Sequence, residues 1–196
     1  MHSKSKLLAV LKTISNPSIS GWFYRTVKNS ALYSRNPPNP LYSLGPGISG
    51  QRYTPPGGPP ALYLADEAYT ALAEGTHAIS STLAGLIVPP EPQVVFAMDV
   101  SIEHVLDLTD AKILFALGTS LNEIRGPWQD QLVSGLAVPT HNLAEAVYES
   151  GRFHGMKFDS LQHTGGENLI VWTEKIEDPF YIAVYDPSKK LAARLP

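Results

Sequence analysis

Leu7, Val10, Leu11 and Ile14 recur at the spacing of one helical face, which predicts a short amphipathic helix over residues 3–14 whose role is packing. Residues 22–27 are aromatic and β-branched, a strand pattern that puts Tyr24 and Arg25 on opposite faces and aims Arg25 well. Residues 61–65 read as a short buried strand. Asp66 then stands as the N-cap of a helix running through Glu74 toward Ser81, weakened by Gly75. Further on, 93–101 predicts a strand, Asp110 caps a helix through Leu117 with Gly118 behind it, and Ser120 with Glu123 forms a capping-box pattern. A helix over 140–150 is closed by Gly151, and strands follow at 155–159, 168–173 and 180–186. Strands and helices mix without regular βαβ alternation. The expected fold class is therefore α+β: a single domain with mixed or antiparallel sheet flanked by helices, not a doubly wound one.

Between these elements, residues 37–60 hold eight prolines and five glycines in 24 positions, a density no regular element tolerates. A long ordered loop or lid is expected there, docked onto the domain through Leu41, Tyr42 and Tyr53. With 196 residues and 43% apolar content, the chain suits one globular domain with a sizeable core, and its 17 prolines and 17% charged residues argue against coiled coils. The absence of cysteine removes disulfide scaffolds, zinc ribbons, iron–sulfur clusters and thiol nucleophiles. The apolar run at residues 7–11 is too short for a signal-peptide core. The most apolar stretch, 78–88, is interrupted by Ser80, Ser81, Thr82 and Gly85, so no membrane span is expected and a cytoplasmic location is.

The net charge of −3 conceals an asymmetry, because residues 1–65 carry seven Lys or Arg and no acid, while the remainder carries eight bases against all 18 acids. Such a basic third is either a subsite for a small anionic ligand or half of an internal electrostatic pairing. Direct nucleic-acid binding is not expected, since the bases are dispersed and neither a helix-turn-helix nor an RNA-binding signature is present. Gly45-Pro46-Gly47-Ile48-Ser49-Gly50 matches G-x-G-x-x-G in letters, with Glu67 at the distance of a ribose-binding acid. Flanking prolines deny it the strand and helix N-terminus that a dinucleotide fingerprint needs. The six histidines show no H-x-x-x-H or H-E-x-x-H spacing, so no metal ligand is assigned. Ser160, between His154 and His163, lacks the Gly-x-Ser-x-Gly frame of a hydrolase nucleophile.

An ordered series of segments remains: Phe23-Tyr24-Arg25, Gly50-Gln51-Arg52-Tyr53, Ala61-Leu62-Tyr63-Leu64-Ala65, Thr70-Ala71-Leu72-Ala73-Glu74, residues 151–160, and Gly165-Gly166-Glu167-Asn168-Leu169. Together they resemble the RES domain family over roughly residues 20 to 175. The family's Arg, Glu and Ser map onto Arg25 or Arg52, Glu74 and Ser160, with Tyr63 as a further match. The resemblance implies a helical extension over residues 1–20, a RES-like domain over 21–196 and a fold like that of ADP-ribosyltransferases. It further implies a bacterial toxin that consumes NAD, by phosphorolysis with inorganic phosphate in some members. A cognate antitoxin, of helix-turn-helix type, would cover the active site. Thr54 stands where the family pattern has asparagine, and Tyr53 where it has tryptophan. That departure keeps a non-catalytic nucleotide- or protein-binding module open as an alternative, beside a toxin that ADP-ribosylates a protein.

The chemistry of NAD cleavage suggests roles for these residues. Arg25 and Arg52 are candidates to grip a pyrophosphate with a charged planar fork; the alternative for each is a surface ion pair. Tyr63 either stacks on a ligand ring or belongs to the core. Breaking the nicotinamide–ribose bond builds positive charge at the anomeric carbon. Glu74, beside the small Ala71 and Ala73, is the carboxylate assigned to stabilise it or to hold a ribose hydroxyl; otherwise it is an exposed helix acid. Ser160 is assigned to a ribose oxygen or the incoming phosphate.

Overall fold

The computed structural model describes residues 1–80 and 91–196. Along the chain run α1 (Lys4–Leu11), β1 (Ile19–Lys28), α2 (Asn29–Tyr33), α3 (Gly45–Ser49), β2 (Ala61–Ala65) and α4 (Ala68–Ser80). Then come β3 (Gln93–Ile102), β4 (Val105–Asp107), α5 (Ala111–Ala116), α6 (Leu121–Ile124), α7 (Trp128–Val133) and α8 (Pro139–Glu149). The chain closes with β5 (Gly155–Asp159), β6 (Glu167–Trp172), a 3₁₀ turn, β7 (Tyr181–Val184) and β8 (Arg194–Leu195). The strands form an eight-stranded sheet in the order β4-β5-β6-β2-β1-β3-β7-β8, antiparallel throughout except for the parallel β4–β5 pair. The α+β expectation holds, with one mixed sheet.

Strand alternation sorts the core into two clusters. Along β6, Ile170 and Trp172 enter one cluster and Leu169 and Val171 the other; along β2, Leu62 and Leu64 join the second while Tyr63 packs against the first. Helices cover the first face. Leu7 and Leu11, one helical turn apart on α1, are fully buried there with Leu143 and Val147 of α8. Each contributes roughly 2 kcal/mol by leaving water. Gly75 allows α4 to lie close on this same face of β1, since a Cβ there would come within 2.9 Å of Thr26 Cγ2 and 2.7 Å of Gln93 Oε1. The second face is covered mainly by α2 and by loop residues such as Leu41 and Ile176.

Several expectations need correction. The proline-rich segment does contain a regular element, α3, because Pro46 occupies its first turn, where a missing N–H costs no helical hydrogen bond. The glycine run is closed on itself: Gly57 N donates to Gly47 O, and a Cβ on Gly47 would meet Gly58 O at 2.7 Å. Asp66 does not cap α4. Its backbone N–H extends the sheet ladder by donating to Glu167 O, and its Oδ1 has no partner among the described residues. The capping box at α6 is half formed. Ser120 Oγ accepts from Glu123 N at 3.3 Å, but the Glu123 carboxylate turns to Thr119 Oγ1 and the Met1 ammonium, a better partner for a charge than a backbone amide. By contrast, Asp110 caps α5 through Lys112 N, and Gly118 and Gly151 adopt the left-handed conformation expected behind their helices. Most of the apolar stretch 78–88 lies outside the described residues; among those described, no helix is long and apolar enough to cross a membrane.

Candidate functional site

A cleft of about 440 Å³ opens on the helix-covered face, within the range of small-molecule sites. Its floor is the centre of the sheet, with Tyr24 and Thr26 of β1, Tyr63 and Ala65 of β2, and Asn168 of β6. Glu74 and Ala71 of α4 form one wall; Gln51 and Arg52 and the segment 125–130 form the opposite one. The long loop 37–60 is therefore built into the site. Leu41 anchors it in one cluster and Tyr53 in the other, so it wraps from one face of the sheet to the other.

Glu74 is held in the cleft through one of its two oxygens. Its Oε1 accepts from Ser160 Oγ at 2.6 Å, Asn168 Nδ2 at 2.9 Å and Leu161 N at 3.1 Å. Oε2 receives no hydrogen bond from a described residue. Three donors on one oxygen fix the carboxylate's orientation and leave the other oxygen for a ligand. Ser160 is itself fixed, because its Oγ accepts from Gln162 N and His163 N while its proton goes to Glu74. Only 8% exposed, the hydroxyl positions the carboxylate and is not presented to the cleft. Gly166 lets this corner close, since a Cβ would meet Thr70 Oγ1 at 2.6 Å and His163 Nδ1 at 2.7 Å, two atoms that bond each other.

Arg52 lines the opposite wall and is 7% exposed. Its Nε and Nη2 donate to Ile124 O at 3.0 and 2.6 Å, and Nη1 to Asp159 O at 3.1 Å. The guanidinium also lies 5.1 Å from the Tyr53 ring centre and 5.3 Å from that of Phe158. Two of its five N–H donors have no acceptor among the described residues. Arg125, next along the chain from Ile124, is 45% exposed, pairs with the Asp159 carboxylate and lines the same wall.

Arg25 borders the cleft, but its guanidinium is engaged away from this group. Arg25 shares the parity of Phe23 and Val27, which pack on the second cluster, so its side chain lies on the face opposite Tyr24. There its guanidinium donates to Pro40 O at 2.9 Å and Tyr42 O at 2.8 Å, pinning the long loop. Burial lowers its pKa to about 10. The basic third is thus neither a single anion subsite nor a simple internal pairing. Lys4 pairs with Glu145 and Glu149, Arg35 stacks over Tyr42, and Arg25 and Arg52 answer backbone carbonyls.

Tyr63 lines the cleft, but its hydroxyl points into the loop, accepting from Tyr53 N at 3.2 Å and sharing a proton with Thr54 Oγ1 at 2.9 Å. Burial drives the Tyr63 phenol pKa far up, and that of Tyr53 up to about 12, so both stay neutral. Thr54 is fully buried against Tyr63. His141 Nε2–H donates to Gln51 O at 2.8 Å, and burial lowers its pKa.

Sequence reasoning passed over Asn168, Arg125 and Trp128 as site residues. Asn168 had a signal, being an amide directly before the apolar run Leu-Ile-Val-Trp of β6, where an unbonded polar group would be costly. Arg125 and Trp128 flank a Gly-Pro turn, a pattern that marks a loop without saying what the loop faces.

The RES domain family model matches residues 24–193, most of the chain. Among solved structures, the fold is similar to a chain of the M. tuberculosis MbcT–MbcA toxin–antitoxin complex, with a TM-score of 0.61, 19% identity and 94% coverage of both chains. No curated protein matches.

Proposed function

Because this chain belongs to the RES domain family, and because its cleft holds a carboxylate fixed by three donors on one oxygen, we propose that it is a toxin that degrades NAD by cleaving the nicotinamide–ribose bond. The orientation of Glu74 is the observation that carries this reading. As the C1″–N bond lengthens, positive charge grows on the ribose. Oε2 of Glu74, which no described residue engages, faces that charge or holds a ribose hydroxyl, and Ser160, Asn168 and Leu161 N prevent the carboxylate from turning away. Arg125 and the two uncommitted N–H groups of Arg52 face the pyrophosphate, and Tyr63 and Trp128 offer apolar ring surface. Inorganic phosphate is the proposed acceptor. One of its oxygens bonds to C1″ as the C1″–N electron pair leaves with nicotinamide, giving nicotinamide and ADP-ribose 1″-phosphate with no redox partner and no metal.

The solved neighbour is a toxin–antitoxin complex, and a cognate antitoxin of helix-turn-helix type is the proposed partner here. Tyr69, 65% exposed and stacked edge-on against His163, and Leu161, 37% exposed beside Glu74, offer apolar surface for it to cover at the cleft mouth. The non-catalytic alternative took its motive from Thr54. Thr54 lies in the wall behind Tyr63, with no surface in the cleft, so its identity bears on loop packing more than on chemistry.

The test is nicotinamide release from NAD by the purified, partner-free chain, with and without inorganic phosphate, beside Glu74→Gln. Phosphate-dependent release that the variant loses is expected. Phosphate-independent release points to water or a protein as acceptor. No release by folded protein overturns the reading.

A further inference from the structure

Glu103, His104 and His154 come together at the edge of the sheet remote from the cleft, with one ligand atom from each within 4.8 Å of the others. The five residues of β5 separate His154 from Ser160, about 20 Å at strand rise. We propose that these three side chains form a structural site for a divalent transition metal, zinc by its ligand chemistry, that staples the β3–β4 turn to the start of β5.

Register creates the site. In the parallel β4–β5 pair, Val105 stands opposite Gly155, so the residues just before them, His104 and His154, are cross-strand neighbours. Their backbones are joined by His154 N donating to His104 O at 2.8 Å, and their rings lie 5.0 Å apart, edge to face. Forty-nine residues of intervening chain hide the pair from any spacing motif.

The distances favour an ion over a direct contact. His104 Nε2 and Glu103 Oε1 are 3.5 Å apart, too far for a good hydrogen bond yet close to the edge of a coordination tetrahedron, about 3.4 Å for bonds near 2.1 Å. The outer ring nitrogen of His104 is already held, with Nδ1 2.8 Å from Asn16 Nδ2. Turning the Asn16 amide over presents its oxygen to Nδ1–H and fixes the tautomer that frees Nε2 for a metal. The only other hydrogen bond of that amide nitrogen among the described residues, to Arg152 O, is a long 3.4 Å. His104 sits at φ 58°, in the left-handed region that histidine, like asparagine and aspartate, enters more readily than most residues. Two imidazoles and one carboxylate suit zinc, with water completing the tetrahedron, and do not suit magnesium.

The test is thermal unfolding of the full chain at neutral pH with ZnCl₂, with MgCl₂ as control, for wild type, His104→Asn, His154→Gln and Glu103→Gln. Zinc is expected to raise the wild-type Tm by roughly 5 °C at a hundredfold excess over its Kd, with no effect of magnesium and no zinc effect in either histidine variant. His104→Asn keeps a residue tolerant of positive φ, and Glu103→Gln, partly exposed, reports if a histidine variant does not fold. Co²⁺ bound at the site should show the visible absorption of a tetrahedral ion, absent in the variants. An unchanged wild-type Tm, or an equal zinc response in all four proteins, overturns the proposal.

Discussion

At one wall of the cleft, Ser160, Asn168 and Leu161 N converge on a single oxygen of Glu74 and leave the other open; at the opposite wall, Arg52 has turned three of its N–H groups inward to Ile124 O and Asp159 O. Both side chains are fixed by hydrogen bonds, but the protein has organised the acid for something outside itself and the arginine largely for itself. The donors around Glu74 orient a charge whose second oxygen they do not satisfy. The carbonyls around Arg52 hold the end of α6 to the end of β5 and so set the width of the cleft. Arg125, tied to the Asp159 carboxylate and 45% exposed, is the more available cation on that wall. Tight hydrogen bonding thus marks a ligand-facing group only when part of its capacity is left over.

The sharpest way to break this contrast is Glu74→Gln, which keeps an acceptor oxygen for Ser160 and Asn168 but removes the charge. Nicotinamide release should fall by about 10³-fold while Tm stays within a few degrees of wild type. A comparable loss of Tm would make Glu74 a structural acid. Arg52→Ala should act in the opposite sense, leaving two carbonyls unpaired. A stability loss of about 3 kcal/mol is expected in urea unfolding. Removing the exposed Arg125 as Arg125→Ala should raise KM for NAD roughly tenfold with kcat and Tm little changed, as steady-state kinetics would read. The smallest effect on activity belongs to Arg25→Lys. It loses the fork that spans Pro40 O and Tyr42 O, costing about 1–2 kcal/mol by denaturant titration, while activity per folded molecule is unchanged. A specific loss of turnover in Arg25→Lys would return that residue to the site.

Local patterns carried much of the architecture. The i, i+4 pair Leu7 and Leu11, the Asp110 cap, the glycines behind α5 and α8, and the runs that became β2, β3 and β5 are written in consecutive residues, because helical and strand periods and terminal hydrogen bonds act within a few positions. The series Arg52, Tyr63, Glu74, Ser160 was also readable, and all four stand in or directly behind the cleft. Their duties were not. Whether a guanidinium meets a ligand or a carbonyl depends on Ile124 and Asp159, 72 and 107 residues away, and whether Ser160 touches substrate or Glu74 depends on where α4 lands on the sheet. Alternation along β1 separated Arg25 from Tyr24, but only packing decided which face received the helices and the cleft. The pairing of His104 with His154 likewise exists only once β4 and β5 lie parallel in register. Periodicity and capping are short-range and survive in the sequence as patterns; hydrogen-bond partnership across the sheet is long-range, and it is settled when the strands pair.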